Sequence, residues 1–120
     1  MRWMLDVLTR LPLPLLYAIG RVVRFIAFHV VRWRRSIAME NIAGAFPDRK
    51  HAEHDAILRA SYDNLCDVLA ETIWAYGADA AELADRVTIE GSEFITAPIA
   101  GGQSLLLLTA HFCNWEWLLL

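Results

Sequence analysis

The sequence predicts an α/β fold in which N-terminal membrane-associated helices are followed by the start of a parallel sheet, incomplete in this chain. Three observations predict it. Residues 20–35 and 57–74 carry apolar side chains at helical spacing. Arg86-Val87-Thr88-Ile89-Glu90 alternates with the period of a half-buried strand. SLLLLT, residues 104–109, is a continuous apolar run bounded by glycines and a polar loop, as in a strand buried on both faces.

Composition narrows the class. The 120 residues are 57% hydrophobic with mean hydropathy +0.34, above an ordinary soluble protein, so part of the apolar surplus is read as lipid-facing. The net charge of -3 hides an asymmetry: residues 1–35 carry seven Arg against Asp6, while residues 36–120 carry four basic and thirteen acidic groups. A basic, Trp-containing front suits an anionic membrane surface, where each basic residue contributes on the order of 1 kcal/mol. The acidic remainder repels phosphate, which argues against nucleic acid. Two segments follow: residues 1–35, a basic amphipathic anchoring segment, and residues 36–120, the beginning of the α/β domain.

At the N-terminus, Arg2, the run LPLPLLY and Ala18-Ile19-Gly20 resemble a cleavable signal, but Asp6, Arg10 and two prolines spoil the pattern, so the front is read as an uncut anchor. Asp6, Arg10, Arg21 and Arg24 interrupt every candidate for roughly 20 uninterrupted apolar residues, which places the front on the membrane or dipping into it. From Gly20 to Arg35, Arg21, Arg24, Arg32 and Arg35 fall on one side of a helix; Val22, Val23, Ile26, Val30, Val31 and Trp33 fall on the other. These four Arg and Trp33 are the expected membrane-contacting residues. A core helix with a solvated Arg face is the competing reading.

Phe46-Pro47-Asp48 marks a turn, because proline disfavours helix at the residue before it. A long helix follows, with Ile57, Leu58, Tyr62, Leu65, Cys66, Leu69, Ile73 and Trp74 on its apolar stripe, Asp63, Asp67 and Glu71 on another face, and Gly77 as C-cap. A shorter helix is expected around Asp79 to Asp85, and another from Ser92-Glu93 to Gly101-Gly102. After the strand at 104–109 a further helix is expected from Asn114. Cys66 and Cys113 have no CxxC spacing and are read as reduced, buried thiols. His51 and His54, at i and i+3, have no third ligand and are read as surface residues, so no metal is expected; His29 has no nameable partner.

The stretch LLLLTAHFCNWEWLLL places polar groups inside an apolar segment. Four residues separate His111 from Glu116. With four His and fourteen acids in the chain, that spacing is close to what chance produces. Its position, directly after a buried strand, is where α/β folds place ligands. On a continuous helix the two side chains would point about 140° apart. For Glu116 to reach His111 the chain must turn at Phe112-Cys113-Asn114, with a helix starting at Asn114, a good N-cap residue. In that geometry the carboxylate accepts the proton of one imidazole nitrogen and leaves the other as a base, the orienting role of the acid in a hydrolase triad. No protein nucleophile is required if the substrate brings a hydroxyl. Cys113 as nucleophile and a purely structural His–Glu pair are the competing readings.

These residues resemble the late acyltransferases of lipid A biosynthesis, the lauroyl and myristoyl transferases within the lysophospholipid and glycerolipid acyltransferase superfamily. Asn41-Ile42 with Ala45-Phe46-Pro47 resembles a family segment, the helix with Tyr62, Asn64 and Glu71 resembles the one after it, and His111 with Asn114-Trp115-Glu116 resembles the family's H-x-G-N-W-E. The resemblance implies an enzyme on the cytoplasmic face of the bacterial inner membrane. It would move a fatty acyl chain from acyl carrier protein to a hydroxyl of a lipid A precursor, with no cofactor. His111 would be the general base, Glu116 its partner, and Asn114 and Trp115 substrate-binding or turn-shaping residues. Cys113 stands where the family usually has glycine. Because family members continue past this point, the chain is expected to be an N-terminal piece, inactive and unstable alone. A glycerolipid or other glycolipid acyltransferase and a non-catalytic membrane-surface module are the alternatives.

Overall fold

The computed structural model describes residues 2–110 and 113–118, and these form helices and turns with no strand among them. The helices are α1 (Arg2–Leu8), α2 (Leu13–Phe25), α3 (Arg35–Ala45), α4 (His51–Ala75), α5 (Ala80–Ala84) and α6 (Glu93–Ala100). A π-helical turn, Ile26–Val30, extends α2, and a 3₁₀ turn spans Trp115–Leu118. The expected α/β fold is therefore wrong for this chain: it is all-helical in its described part.

Both predicted strands fail for lack of a partner. A strand exists by exchanging backbone hydrogen bonds with a neighbour. At 86–90 the chain continues the α5 C-terminal turn instead, with Arg86 N and Val87 N donating to Leu83 O at 3.0 and 3.1 Å. Gly91, at φ +72°, then turns it into α6. At 104–110 the chain is irregular and exposed; Leu106 and Leu108 are 86% and 85% accessible, so neither face of the run is covered. The expected burial on both faces is therefore also wrong for this run, because apolarity alone supplies neither a pairing strand nor a covering layer.

The N-terminal helix also differs from its expected bounds. Pro12 supplies an extended lead-in and Pro14 sits in the first turn, where its missing N–H costs nothing, so α2 starts at Leu13 rather than Gly20. The helix ends at Val30, because Arg32 and Arg34 adopt left-handed conformations, φ +54° and +53°, that break it before α3. Leu13–Val30 makes one helix of 18 residues with mean hydropathy 1.5, long and apolar enough by length and composition to cross a membrane even with Arg21 and Arg24 inside it.

α2 packs lengthwise on α4 through Leu13, Leu16, Tyr17, Gly20 and Arg24, a stripe at helical spacing. Gly20 lies over the Cys66 carbonyl, where small size permits close approach. The apolar side chains Val22, Ile26 and Val30 face outward, 60%, 45% and 67% exposed. Further along, Phe28, Leu58 and Tyr62 form a buried cluster joined by Ala38, Met39 and Ile42 of α3. Phe28 and Tyr62 meet edge to face at 5.1 Å, and the Tyr62 hydroxyl donates to the Trp33 carbonyl, tying down the turn between α2 and α3. The radius of gyration is 18.3 Å, against about 13.6 Å for a compact domain of this length, consistent with the long row of exposed apolar groups.

Helix α3 was not foreseen. It ends at Phe46, whose carbonyl accepts from Arg49 N at 3.1 Å and bonds His54 Nε2 at 2.9 Å. His54 is thus a buried residue that pins the Phe46-Pro47 turn, not a surface histidine. His51 is exposed and lies 3.3 Å from Asp55, and His29 packs against the Phe25 and Phe28 rings. Local hydrogen bonds set several of the remaining boundaries, although the Ser92 side chain does not make the expected cap on α6. Glu53 accepts from Lys50 N at the start of α4, and Asp79 and Glu82 form a reciprocal capping box on α5. Gly102, at φ +76°, closes α6 with a pair of bonds, Gln103 N to Pro98 O and Gly102 N to Ile99 O.

Candidate functional site

The turn that must separate the motif's histidine from its acid is present at its second half. Cys113 has φ +51°. The chain then enters the 3₁₀ turn Trp115–Leu118, whose first bond is Trp117 N to Asn114 O at 3.4 Å. His111 and Phe112 lie outside the described residues, so the expected base is not located; Glu116 is half-buried on the 3₁₀ turn. Cys113 is exposed rather than buried, whereas Cys66 is buried against α2. Burial, followed by the Asp67 carboxylate, pushes the Cys66 thiol up, which keeps it protonated and unreactive.

A non-glycine residue in the left-handed region costs roughly 1–2 kcal/mol, and glycine gives part of that back as unfolded-state entropy. Cys113→Gly is expected to stabilise the protein by roughly 0.5–1 kcal/mol, whereas Cys113→Ala, which keeps a Cβ, is not. Denaturant unfolding of the two variants checks this, and equal stabilities would contradict it.

Asn114 sits at the head of the 3₁₀ turn as expected, but its side chain does not cap. Its Nδ2 donates to Glu71 Oε2 at 2.7 Å, and the Tyr17 hydroxyl donates to Glu71 Oε1 at 2.6 Å. Glu71, on α4, thus has both carboxylate oxygens engaged, one by the motif turn and one by α2. With Nδ2 committed to the carboxylate, Asn114 Oδ1 is left as a buried acceptor with no protein partner among the described residues, and Trp117 Nε1 is a buried donor in the same position. The Trp117 ring packs on Trp74 of α4 at 5.7 Å, and the Arg86 guanidinium lies 4.6 Å from the Trp74 centroid. Trp74, expected as core, is a platform for the motif turn.

In the sequence Glu71 is marked out only together with Tyr62 and Asn64, as part of a helix that resembles the family's, and is given no role. It lies in the acidic series Asp63, Asp67, Glu71, spaced by four on α4, and nothing in that spacing marks one member. The structure gives each a different place. Asp63 pairs with Arg24, Nε to Oδ1 at 2.7 Å, although the Nε–H is not aimed along a hydrogen bond. Asp67 has its carboxyl pushed up by partial burial and by the neighbouring Glu71 and Asp63 charges, with Arg21 acting against them. Glu71 holds the motif turn.

Of the expected membrane-contacting residues, Arg24 faces α4, and Arg35 stacks at 4.4 Å over the Phe28 ring. Arg21 and Arg32 are exposed, as is Trp33 at 50%. Between α1, α2 and α4 an apolar cavity of about 160 Å³ is lined by Leu8, Leu16, Val23, Cys66, Leu69 and Ile73, among others. No three His, Cys, Asp or Glu side chains converge as a metal site among the described residues.

The class of protein, an acyltransferase, comes from the match of the chain to a family model. The model of the bacterial lipid A biosynthesis acyltransferase family matches residues 2–119, and the chain belongs to that family. The family acts in acyl transfer to a lipid A precursor. No curated protein and no solved structure matched the chain.

Proposed function

We propose that this chain carries the general base of an O-acyl transfer from acyl carrier protein to a hydroxyl of a lipid A precursor, with His111 as base and Glu116 as its partner. The observation that carries this reading is the family match, which spans His111 through Glu116. The left-handed Cys113 and the 3₁₀ turn beyond it support the reading, because the pair can meet only if the chain turns between them. The imidazole takes the proton of the acceptor hydroxyl as its oxygen attacks the thioester carbonyl. The C–S bond then breaks, and the proton passes to the departing thiolate, so no acyl-enzyme forms. His111→Ala in the full chain tests the assignment: transfer is expected to be lost while membrane association persists, and unchanged transfer would refute it.

The reading extends to location, at the cytoplasmic face of the inner membrane. The outward row Val22, Ile26 and Val30, with Arg21 and Arg32 exposed beside it, is the surface proposed to meet anionic lipid. Two carboxylates in that row remove about two valines' worth of burial, so Val22→Glu with Val30→Glu is expected to weaken binding to anionic phospholipid vesicles on the order of 100-fold. Sedimentation with vesicles measures it. Undiminished binding would show that another surface makes the contact.

A further inference from the structure

We infer that Glu71 is a positioning residue for the motif turn, coupling it to helix α2 through Tyr17. This inference rests on the reading of His111 and Glu116 given above. The bonds are short and charge-assisted, 2.7 Å from Asn114 Nδ2 and 2.6 Å from the Tyr17 hydroxyl, and each uses a different oxygen of one carboxylate. A carboxylate can only accept, so it dictates which end of the Asn114 amide points toward α4. That choice turns Oδ1 away as a free acceptor and fixes the residue from which the 3₁₀ turn bearing Glu116 begins.

Three helical elements meet at this one side chain. Glu71 stands on the longest helix, Asn114 leads the motif's 3₁₀ turn, and Tyr17 belongs to the helix whose other side exposes the apolar row. Trp117 on Trp74 adds a second contact between the turn and α4, one turn further along the same helix. Among the described residues the Glu71 carboxylate bonds Asn114 and Tyr17, neither of which takes the proton in this reading. Its contribution is to hold the acid of the dyad in register, and a displacement of about 1 Å at such a site lowers turnover by as much as 100-fold.

The test is an exchange of the amide and the carboxylate in the full chain, assayed with lauroyl-acyl carrier protein as donor and a lipid A precursor as acceptor. Glu71→Ala is expected to lower kcat on the order of 10- to 100-fold with KM for the donor unchanged, and Tyr17→Phe roughly fivefold, for one lost hydrogen bond. Asn114→Asp alone sets two carboxylates against each other and should be as damaging as Glu71→Ala. Combined with Glu71→Gln, it restores a donor and acceptor pair of reversed polarity, and kcat is expected to recover to within about threefold of the parent. A loss of folding would lower the amount of enzyme but would not be reversed by this exchange unless the pair itself is what matters. A folded double variant without recovery, or parent-like kcat in Glu71→Ala beside an inactive His111→Ala, overturns the inference. Full activity in His111→Ala overturns the base assignment and this inference with it.

Discussion

Removal of the imidazole in His111→Ala is expected to lower kcat by about 10²- to 10⁴-fold, the range supplied by a positioned general base. Glu116→Gln should cost nearly as much for a different reason. The amide can offer its N–H to the imidazole and hold it in the tautomer that has no free base nitrogen toward the acceptor hydroxyl, as when the acid of a hydrolase triad is made an amide. The two effects are predicted not to add, because both remove the same proton transfer; the double variant should resemble His111→Ala. Single-turnover measurement of acyl transfer separates this outcome from a loss of donor binding. Additive losses, or a Glu116→Gln enzyme with parent-like turnover, would leave Glu116 outside the proton transfer and in a merely structural place.

The largest expected effect on stability is at Gly77. A Cβ there would lie 2.3 Å from the Thr9 carbonyl oxygen and 2.9 Å from its carbon, so the backbone between α1 and α2 must move to admit it. Gly77→Ala is expected to cost about 2–3 kcal/mol, at the upper end of overpacking penalties. Gly44→Ala is the matched control: it lies within α3 with nothing within 4 Å of the added methyl, and should stabilise by roughly 0.5–1 kcal/mol. Thermal unfolding of the detergent-solubilised protein reads both, and a Gly77→Ala protein as stable as the parent would remove the close packing of this turn from the account. Gly77 was expected as a C-cap. Its φ is not in the left-handed region, and it is the approach of a second chain segment that requires glycine here.

Much of the helical plan was legible. The Phe46-Pro47 turn ahead of α4, the short helix between Asp79 and Asp85, and the Gly101-Gly102 stop of α6 follow from signals acting over three or four residues. A bend at Cys113 follows from the five-residue spacing if Glu116 is to reach His111, and the glycine of the resemblance agrees with the left-handed conformation found there. The break after Val30 and the helix α3 were not, since Arg32 and Arg34 adopt left-handed conformations that no local preference favours and that Tyr62, from a distant helix, helps to hold through the Trp33 carbonyl.

Family membership could be read from the chain directly, because the motifs that carry the resemblance are defined by residue type and spacing, which are properties of the sequence. Three matters waited for the packed molecule: which of Asp63, Asp67 and Glu71 supports the motif, which side of α2 meets α4, and whether 86–90 and 104–109 pair as strands. Each depends on a partner far away in the chain. Helical periodicity states that a face exists, but the partner that covers it, or fails to, is selected only when the helices come together.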